Sequence, residues 1–264
     1  MCLIVFAWKV HPRYSLVLAA NRDEFLDRPS SPLDYWTDQP DVLGGRDTEK
    51  GGSWLAANVD GRWAAVTNFR DGRPAVPSPL SRGHLVAGYV SSRASAPTYA
   101  AEILQPLSAY PGCNLLFGDS RSLFYASNRH LPGTATQVTS LSPGVYGLSN
   151  HLLDTPWPKV ERCKASMREL LDGGETGLAD GLFDLLADRT LAADDELPAT
   201  GVPSERERML SAPFIVAEGY GTRASTVLLA DNDGTVIIKE RSFGDGGAEL
   251  ARRSKGFHSA NDPA

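Results

Sequence analysis

The 264-residue chain has an ordinary globular composition, with 42% hydrophobic and 22% charged residues, so it is long enough to bury a sizeable core. Its net charge of -6 gives no basic footprint for nucleic acid or anionic lipid. The three cysteines, at positions 2, 113 and 163, fit neither a disulfide framework nor a zinc site. The apolar N-terminal run is too short to span or insert into a membrane. We therefore expect a cytoplasmic protein.

Apolar strands open the chain. The runs 2–8 and 14–20 are continuously apolar, which predicts a hairpin whose strands are covered on both faces. The stretch 27–52 is rich in Pro, Asp and Gly and predicts a long loop, with its glycine pairs as turns. Further strands are predicted at 53–58, 63–68, 114–118, 123–127, 136–141 and 145–149.

Helices follow in two groups, and strands close the domain. The predicted helices cover 84–93, 98–104, 159–171 and 178–186. An acidic, loop-like stretch at 188–208 precedes strands at 214–217, 224–230 and 235–243. This order lacks βαβ alternation and predicts an α+β fold of two mostly antiparallel sheets packed together, with helices outside. We expect one domain over 1–243 and a flexible C-terminal tail over 244–264.

Cys2 is the first candidate for chemistry. The initiator Met1 is usually removed when the next residue is small, and removal leaves a thiol and an α-amine on one residue. Their ordinary pKa values lie near ~8.5 and ~8, so the amine can accept the thiol proton. The competing interpretation is that Cys2 is a small hydrophobe at the start of a buried strand.

The polar segment Asn21-Arg22-Asp23-Glu24 directly follows the second apolar run. If the first two strands pair as a hairpin, this segment lies beside Cys2. Arg22 could then stabilise the thiolate, and Asp23 could orient the α-ammonium group. An ordinary surface turn with an internal ion pair is the competing interpretation.

Three more polar residues stand at predicted strand ends: Asn68, Asn150 and Arg223. An asparagine amide can donate to a developing oxyanion, and an arginine can bind a carboxylate or steady the nucleophile. Each residue alone is more typical of a strand end, but together they fit one cleft if the strand ends converge. A Cys–His pair that uses His151 is a weaker alternative.

Six ordered motifs carry a resemblance: MCLIVFAW, AANRDEF, GGSWLAAN, AVTNFR, YGLSNHLLDTPWPK and YGTRASTVLL. They resemble the NRDE family, also called the transport-and-Golgi-organisation-2 family. That family is similar to N-terminal-nucleophile hydrolases of the choloylglycine hydrolase and penicillin V acylase kind. The resemblance implies a four-layer αββα sandwich with a cysteine nucleophile at the mature N-terminus.

The resemblance also implies roles for single residues. Cys2 would be the nucleophile and Asp23 would lie close to its amine, with Asn68 and Asn150 at the oxyanion and Arg223 nearby. Residues expected to line the substrate site are Asn21, Arg22, Glu24 and His151.

One position departs from the hydrolase pattern. Those enzymes have an arginine about three residues before the equivalent aspartate, where this chain has Ala20. Arg22 and Asp23 are adjacent, and adjacent strand residues point to opposite faces. Both can face Cys2 only if the chain has already left the strand.

Three functions stay open on these grounds. The first is a hydrolase-like protein that acts on an amide or thioester of a small amphipathic acyl substrate and requires no cofactor. The second, implied by the resemblance, is a non-catalytic intracellular protein that binds and transfers haem or an acyl-coenzyme A. The third is a scaffold without a small ligand, which a cluster of polar strand-end residues disfavours.

Overall fold

The structure, a computed structural model, describes residues 2–73, 78–131 and 137–259. Met1, residues 74–77 and 132–136, and the last five residues of the predicted tail lie outside these ranges. The second of these gaps includes the first residue of the strand predicted at 136–141. The strands are β1 Cys2–Trp8, β2 Tyr14–Phe25, β3 Ser30–Trp36, β4 Gln39–Asp47, β5 Leu55–Asn58, β6 Trp63–Asn68, β7 Cys113–Gly118, β8 Leu123–Ser127, β9 Val138–Ser140, β10 Gly144–Leu148, β11 Val216–Ala217, β12 Tyr220–Asp231, β13 Thr235–Phe243 and β14 Glu249–His258. The α-helices are α1 Gly83–Ser91, α2 Ala96–Glu102, α3 Leu104–Leu107, α4 Pro158–Asp172, α5 Leu178–Leu186 and α6 Ser204–Met209.

Two antiparallel sheets lie face to face. The first sheet has the order β10-β1-β2-β12-β13-β14, with β11 beside β12, and the second runs from β3 to β9 in chain order. Even-numbered residues of β1, such as Ile4 and Phe6, pack into the core between the sheets. Odd-numbered ones, such as Leu3 and Val5, pack against α4 and α5. Because strand side chains alternate, a continuously apolar strand is a strand covered on both faces.

A third core joins the outer face of the second sheet to α1, α2 and α3. The protein therefore has four layers in the order helix, sheet, sheet, helix. This confirms the predicted α+β class and the αββα sandwich.

The hairpin of β1 and β2 positions the site. In its register Cys2 lies opposite Arg22, and Leu3 lies opposite Asn21. Strand β12 pairs with the other edge of β2, and a bulge between Thr222 and Ala224 interrupts that pairing. The polar segment 21–24 is thus central in the first sheet, and the alternative of a surface turn is wrong.

The prediction of a long loop at 27–52 is wrong, because β3 and β4 occupy most of that stretch. β3 is the edge strand of the second sheet, where a proline is tolerated. Gly45 lies within β4 rather than in a turn, and a Cβ atom there would stand 2.1 Å from the Trp54 ring. The glycine therefore makes room for a tryptophan.

The flexible tail predicted from residue 244 is wrong as far as residue 258. There β14 pairs with β13 over the whole strand, from Thr235 opposite His258 to Phe243 opposite Glu249. Its side chains are mostly polar and exposed because it is the sheet edge. The stretch 188–208 also contains the start of α6, which a buried ion pair between Arg70 and Glu207 at 2.9 Å ties to the rest of the fold.

Candidate active site

A cleft of about 400 Å³ opens where the N-terminal end of β1 meets the second sheet. We call it the outer cleft. Its inner wall includes Cys2, Arg22, Asp23, Glu24, Trp54 and Asn68. Sequence elements more than 60 positions apart meet here because β1, β2 and β6 all end or begin at the same edge of the sandwich.

Cys2 is a free, partly buried cysteine in this wall. Burial raises the pKa of its thiol above the ordinary value, although the positive charge of Arg22 and a hydrogen bond from the Asp23 N–H oppose that shift. The thiol is therefore protonated at neutral pH. Nucleophilic chemistry at this sulfur needs a base that removes its proton.

Arg22 lies on the same face of the sheet as Cys2, because the two residues pair across β1 and β2. Its guanidinium carbon stands 4.4 Å from the centre of the Trp54 ring. Its polar contacts are long: Nη1 lies 3.5 Å from Ser30 Oγ and Nη2 lies 3.9 Å from Glu24 Oε2. Burial lowers the pKa of this guanidinium.

Asp23 lies on the opposite face of β2, toward the helices. Its Oδ1 accepts a 2.7 Å hydrogen bond from Thr222 Oγ1. Burial raises the pKa of Asp23, and the positive charge of Lys159 opposes that rise. The departure noted in the sequence is therefore present in the fold, although Asp23 still reaches the outer cleft at the strand edge and its backbone N–H contacts the Cys2 thiol.

Asn68 and Asn150 form one hydrogen-bonded pair. Asn150 is fully buried, and its Nδ2 donates to Asn68 Oδ1 at 3.0 Å. The Asn68 side chain lines the outer cleft, whereas Asn150 stands behind it. Because Asn68 Oδ1 accepts from Asn150, its own amide N–H groups are the part of the side chain that can donate to a ligand. Ser149 joins this pair to the nucleophile strand, since its Oγ donates to the Cys2 carbonyl at 3.4 Å.

Besides Asn150, three predicted site residues lie outside the outer cleft. Asn21 points toward the helices, where its Nδ2 donates to the Leu186 and Pro213 carbonyls at 2.8 and 2.9 Å. His151 hydrogen-bonds Thr155 Oγ1 at 2.9 Å. Arg223 lies in the β12 bulge, and its Nη1 donates to two backbone carbonyls at 2.8 and 3.0 Å.

Sequence reasoning missed several charged residues of the site. Lys159 is buried at the start of α4, where its Nζ donates to the Leu210 carbonyl at 2.8 Å. Burial lowers the pKa of Lys159 to about 8, and Asp23 opposes that shift. Lys50, Arg82 and Arg206 line the outer cleft. Lys159 is the last residue of the motif YGLSNHLLDTPWPK, which could have drawn attention to it. Lys50, Arg82 and Arg206 lie in segments that carry no motif of their own.

The fold matches solved structures of hydrolases with an N-terminal nucleophile. A conjugated bile acid hydrolase from Clostridium perfringens, solved as its C2A mutant, superposes with a TM-score of 0.53 at 8% sequence identity, over 100% of this chain and 94% of that one. The four-layer fold is thus of the N-terminal-nucleophile hydrolase type.

The family follows from sequence comparison. A family model described as Transport and Golgi organisation 2 matches residues 1–245. The human Transport and Golgi organization protein 2 homolog is 34% identical over 93% of this chain and 94% of its own. The bovine homolog is 35% identical over 92% and 93%. The chain belongs to the Transport and Golgi organisation 2 family.

The described part of the chain contains neither a helix suited to span a membrane nor a cluster of side chains suited to hold a metal ion. Within 2–73, 78–131 and 137–259, no helix is long and apolar enough to cross a membrane. Over the same ranges, no group of three or more His, Cys, Asp or Glu side chains is arranged to hold a metal ion.

Proposed function

We propose that this protein is an N-terminal-cysteine hydrolase-like protein, acting on an amide or thioester of a small amphipathic acyl substrate. The observation that carries the proposal is the position of Cys2, a free thiol in the wall of the outer cleft beside Arg22 and Asn68. The similar bile acid hydrolase was solved with Cys2 replaced by alanine, so the unmutated form of that protein also has a cysteine at position 2.

The proposed reaction begins with removal of Met1, which turns the Cys2 backbone nitrogen into a free amine. That amine accepts the thiol proton, and the sulfur attacks the substrate carbonyl carbon. The Asn68 amide donates to the resulting oxyanion. The amine then gives its proton to the leaving nitrogen or sulfur as the carbonyl bond to that atom breaks, and water releases the acyl group from Cys2.

Arg22 and Asp23 support this chemistry from two sides. Arg22 places a positive charge on the sulfur's side of the sheet and favours the thiolate. Asp23 adjoins the nucleophile through its N–H, and its carboxylate suits an ammonium partner. We expect no required cofactor.

Turnover of the purified protein tests the proposal. Intact-mass spectrometry first establishes whether Met1 is removed. A panel of acyl amides and acyl thioesters is then assayed with the wild type, Cys2→Ser and Cys2→Ala. We expect hydrolysis by the wild type and none by Cys2→Ala. Equal rates for all three proteins would contradict the proposal.

A second candidate is a carrier that binds haem or an acyl-coenzyme A without turnover. The observation that favours it is the charge of the cleft rim. Lys50, Arg82 and Arg206 form no ion pair with any residue that the structure describes, and unpaired cations favour the carboxylates of haem or the phosphates of coenzyme A. The raised pKa of Cys2 is also compatible with a thiol that does not react.

Binding by a protein that cannot react separates the two candidates. Cys2→Ala is titrated with haemin and with palmitoyl-coenzyme A, and the double variant Lys50→Gln, Arg206→Gln is the control. A carrier gives saturable binding at a 1:1 ratio that survives Cys2→Ala and weakens in the control. Linear, non-saturating signals for both ligands would rule this candidate out.

A further inference from the structure

A second cavity adjoins the outer cleft. It has a volume of about 210 Å³ and lies between the edge strand β3 of one sheet and strands β12, β13 and β14 of the other. We call it the inner cavity. Arg22 and Trp54 line both cavities. The stacked guanidinium and indole therefore form the partition between them.

The partition is loosely held on its arginine side. The Arg22 side chain is only 6% exposed, yet its one hydrogen bond to a described residue is 3.5 Å long. A buried guanidinium ordinarily has several short hydrogen bonds, because its five N–H donors are costly to leave unpaired. Its carboxylate neighbour, Glu24, stands at 3.9 Å on the outer-cleft side. Glu24 is thus a carboxylate available to Arg22 if its guanidinium leaves the indole.

The far wall of the inner cavity is largely apolar and partly open to solvent, since Leu250 is 69% exposed. It is formed by Pro32, Ala224, Phe243, Leu250 and Ala251, together with serines of β3 and β13. The charged groups there are already engaged: Arg223 donates to two backbone carbonyls, and Glu240 Oε1 accepts from the Leu33 N–H at 2.7 Å. Such a wall suits a slim aliphatic chain better than a charged group.

We infer that Arg22 and Trp54 are a movable partition and that the inner cavity receives the aliphatic end of an acyl group bound at Cys2. On opening, Arg22 leaves the indole and approaches Glu24, and the two cavities become one elongated site. The inference deepens the proposed function, and it needs only that Cys2 accept an acyl group, not that the acyl group be hydrolysed.

Burst acylation of Cys2 by p-nitrophenyl esters of different acyl chain length measures whether the acyl chain enters the inner cavity. The Cys2 thiolate attacks the ester carbonyl, the carbon–oxygen bond to p-nitrophenolate breaks, and a thioester forms, while the thiol proton goes to solvent. The rate for the octanoyl ester divided by the rate for the acetyl ester reports access to the inner cavity. Peptide mass spectrometry places the acyl group, and iodoacetamide alkylation of Cys2 reports folding and sulfur access independently of chain length.

Two variants and one control test the partition. Ala251→Leu narrows the inner cavity and should lower the octanoyl-to-acetyl ratio by about fourfold for each methylene that no longer fits. Trp54→Ala removes the indole side of the partition and should raise the ratio. Ala248→Leu makes the same substitution on the same side of the domain but lines neither cavity, and should leave the ratio unchanged.

The outcomes distinguish this inference from hydrolysis itself. A burst without turnover, with the expected ratios, would contradict hydrolysis and support the partition. One common ratio in all four proteins, with normal iodoacetamide alkylation, would overturn the partition whether or not turnover occurs. Failure of every ester to acylate Cys2 would contradict both.

Discussion

The two faces of the segment 21–24 differ in how tightly their side chains are held. On the helix face, Asn21 and Asp23 form hydrogen bonds of 2.6 to 2.9 Å to side chains and backbone around them. On the cleft face, Arg22 and Glu24 meet only at 3.9 Å, and Arg22 rests on an aromatic ring. Because successive side chains of a strand point to opposite faces of the sheet, these four consecutive polar residues divide into a pair that faces the helices and a pair that faces the outer cleft.

This contrast separates what stabilises the fold from what is available to a ligand. Short, buried hydrogen bonds fix the first sheet against α5 and the segment before β11. The cleft face keeps a charged group with unused donors beside a thiol. Substitutions on the two faces should accordingly change different properties, namely stability on one side and reactivity on the other.

The largest effect is expected from Asn21→Leu. This substitution leaves the Leu186 and Pro213 carbonyls and the Ser225 hydroxyl without their partner, and should lower the free energy of unfolding by about 4 kcal/mol. Urea denaturation measures it. Glu24→Gln on the cleft face is the matched control and should change stability by no more than about 0.5 kcal/mol. Similar losses for both would abolish the distinction between the faces.

The pH dependence of the free energy of unfolding tests the buried charge of Lys159, which lies on the helix face of the first sheet. The pKa of Lys159 is lowered from 10.5 to about 8 in the folded protein. Between these values the unfolded chain binds the extra proton, so the contribution of Lys159 makes stability rise with pH across that window and is flat below it. The total rise is about 3 kcal/mol.

Lys159→Met removes this contribution. Urea denaturation of both proteins at several pH values from 7 to 11 gives the difference in their free energies of unfolding, in which contributions from other titrating groups cancel. We expect that difference to shift in favour of the wild type as the pH rises through the window. A constant difference would mean that Lys159 keeps an ordinary pKa in the fold.

Arg22→Met should change the free energy of unfolding by no more than about 1 kcal/mol, because a poorly paired buried cation adds little stability. Its effect should instead be on Cys2. Loss of the positive charge raises the pKa of the thiol, so alkylation by iodoacetamide at pH 8 should slow by up to about tenfold. Arg22→Lys keeps the charge and should restore part of the rate. A large loss of stability with an unchanged rate of alkylation would mean that Arg22 stabilises the fold and does not act on the Cys2 thiol.

Much of the sandwich could be predicted from strand patterns. Continuous apolar runs such as 2–8 indicated strands covered on both faces, and the hairpin put Arg22 beside Cys2. Strands β3 and β14 escaped prediction because edge strands are polar and tolerate glycine and proline. Strand β4 is not at an edge, but a proline and a glycine pair interrupt its apolar pattern. These segments form strands because a neighbouring strand supplies their backbone hydrogen bonds. The local sequence pattern does not indicate such a neighbour.

The candidate site was only partly predictable for a related reason. Motifs marked Cys2, Asp23 and Asn68, but they did not distinguish Asn68, which lines the outer cleft, from Asn150, which supports it from behind. Asn21 belongs to the same polar motif and still points to the other face. Lys159 comes near Asp23, and Arg206 lines the outer cleft, only through the packing of α4 and α6, so their roles depend on tertiary structure.

The most direct test of the account is the selectivity of acylation among the three cysteines. Burial raises the pKa of all three thiols, to about 12 for Cys113 and Cys163, so the feature that distinguishes Cys2 is its position in the wall of the outer cleft. A p-nitrophenyl acetate burst followed by peptide mass spectrometry should place one acyl group per molecule on Cys2 and none on the other two. Acylation of Cys113 or Cys163 at a comparable rate, or an unmodified Cys2 in folded protein, would contradict the claim that this sulfur is the nucleophile.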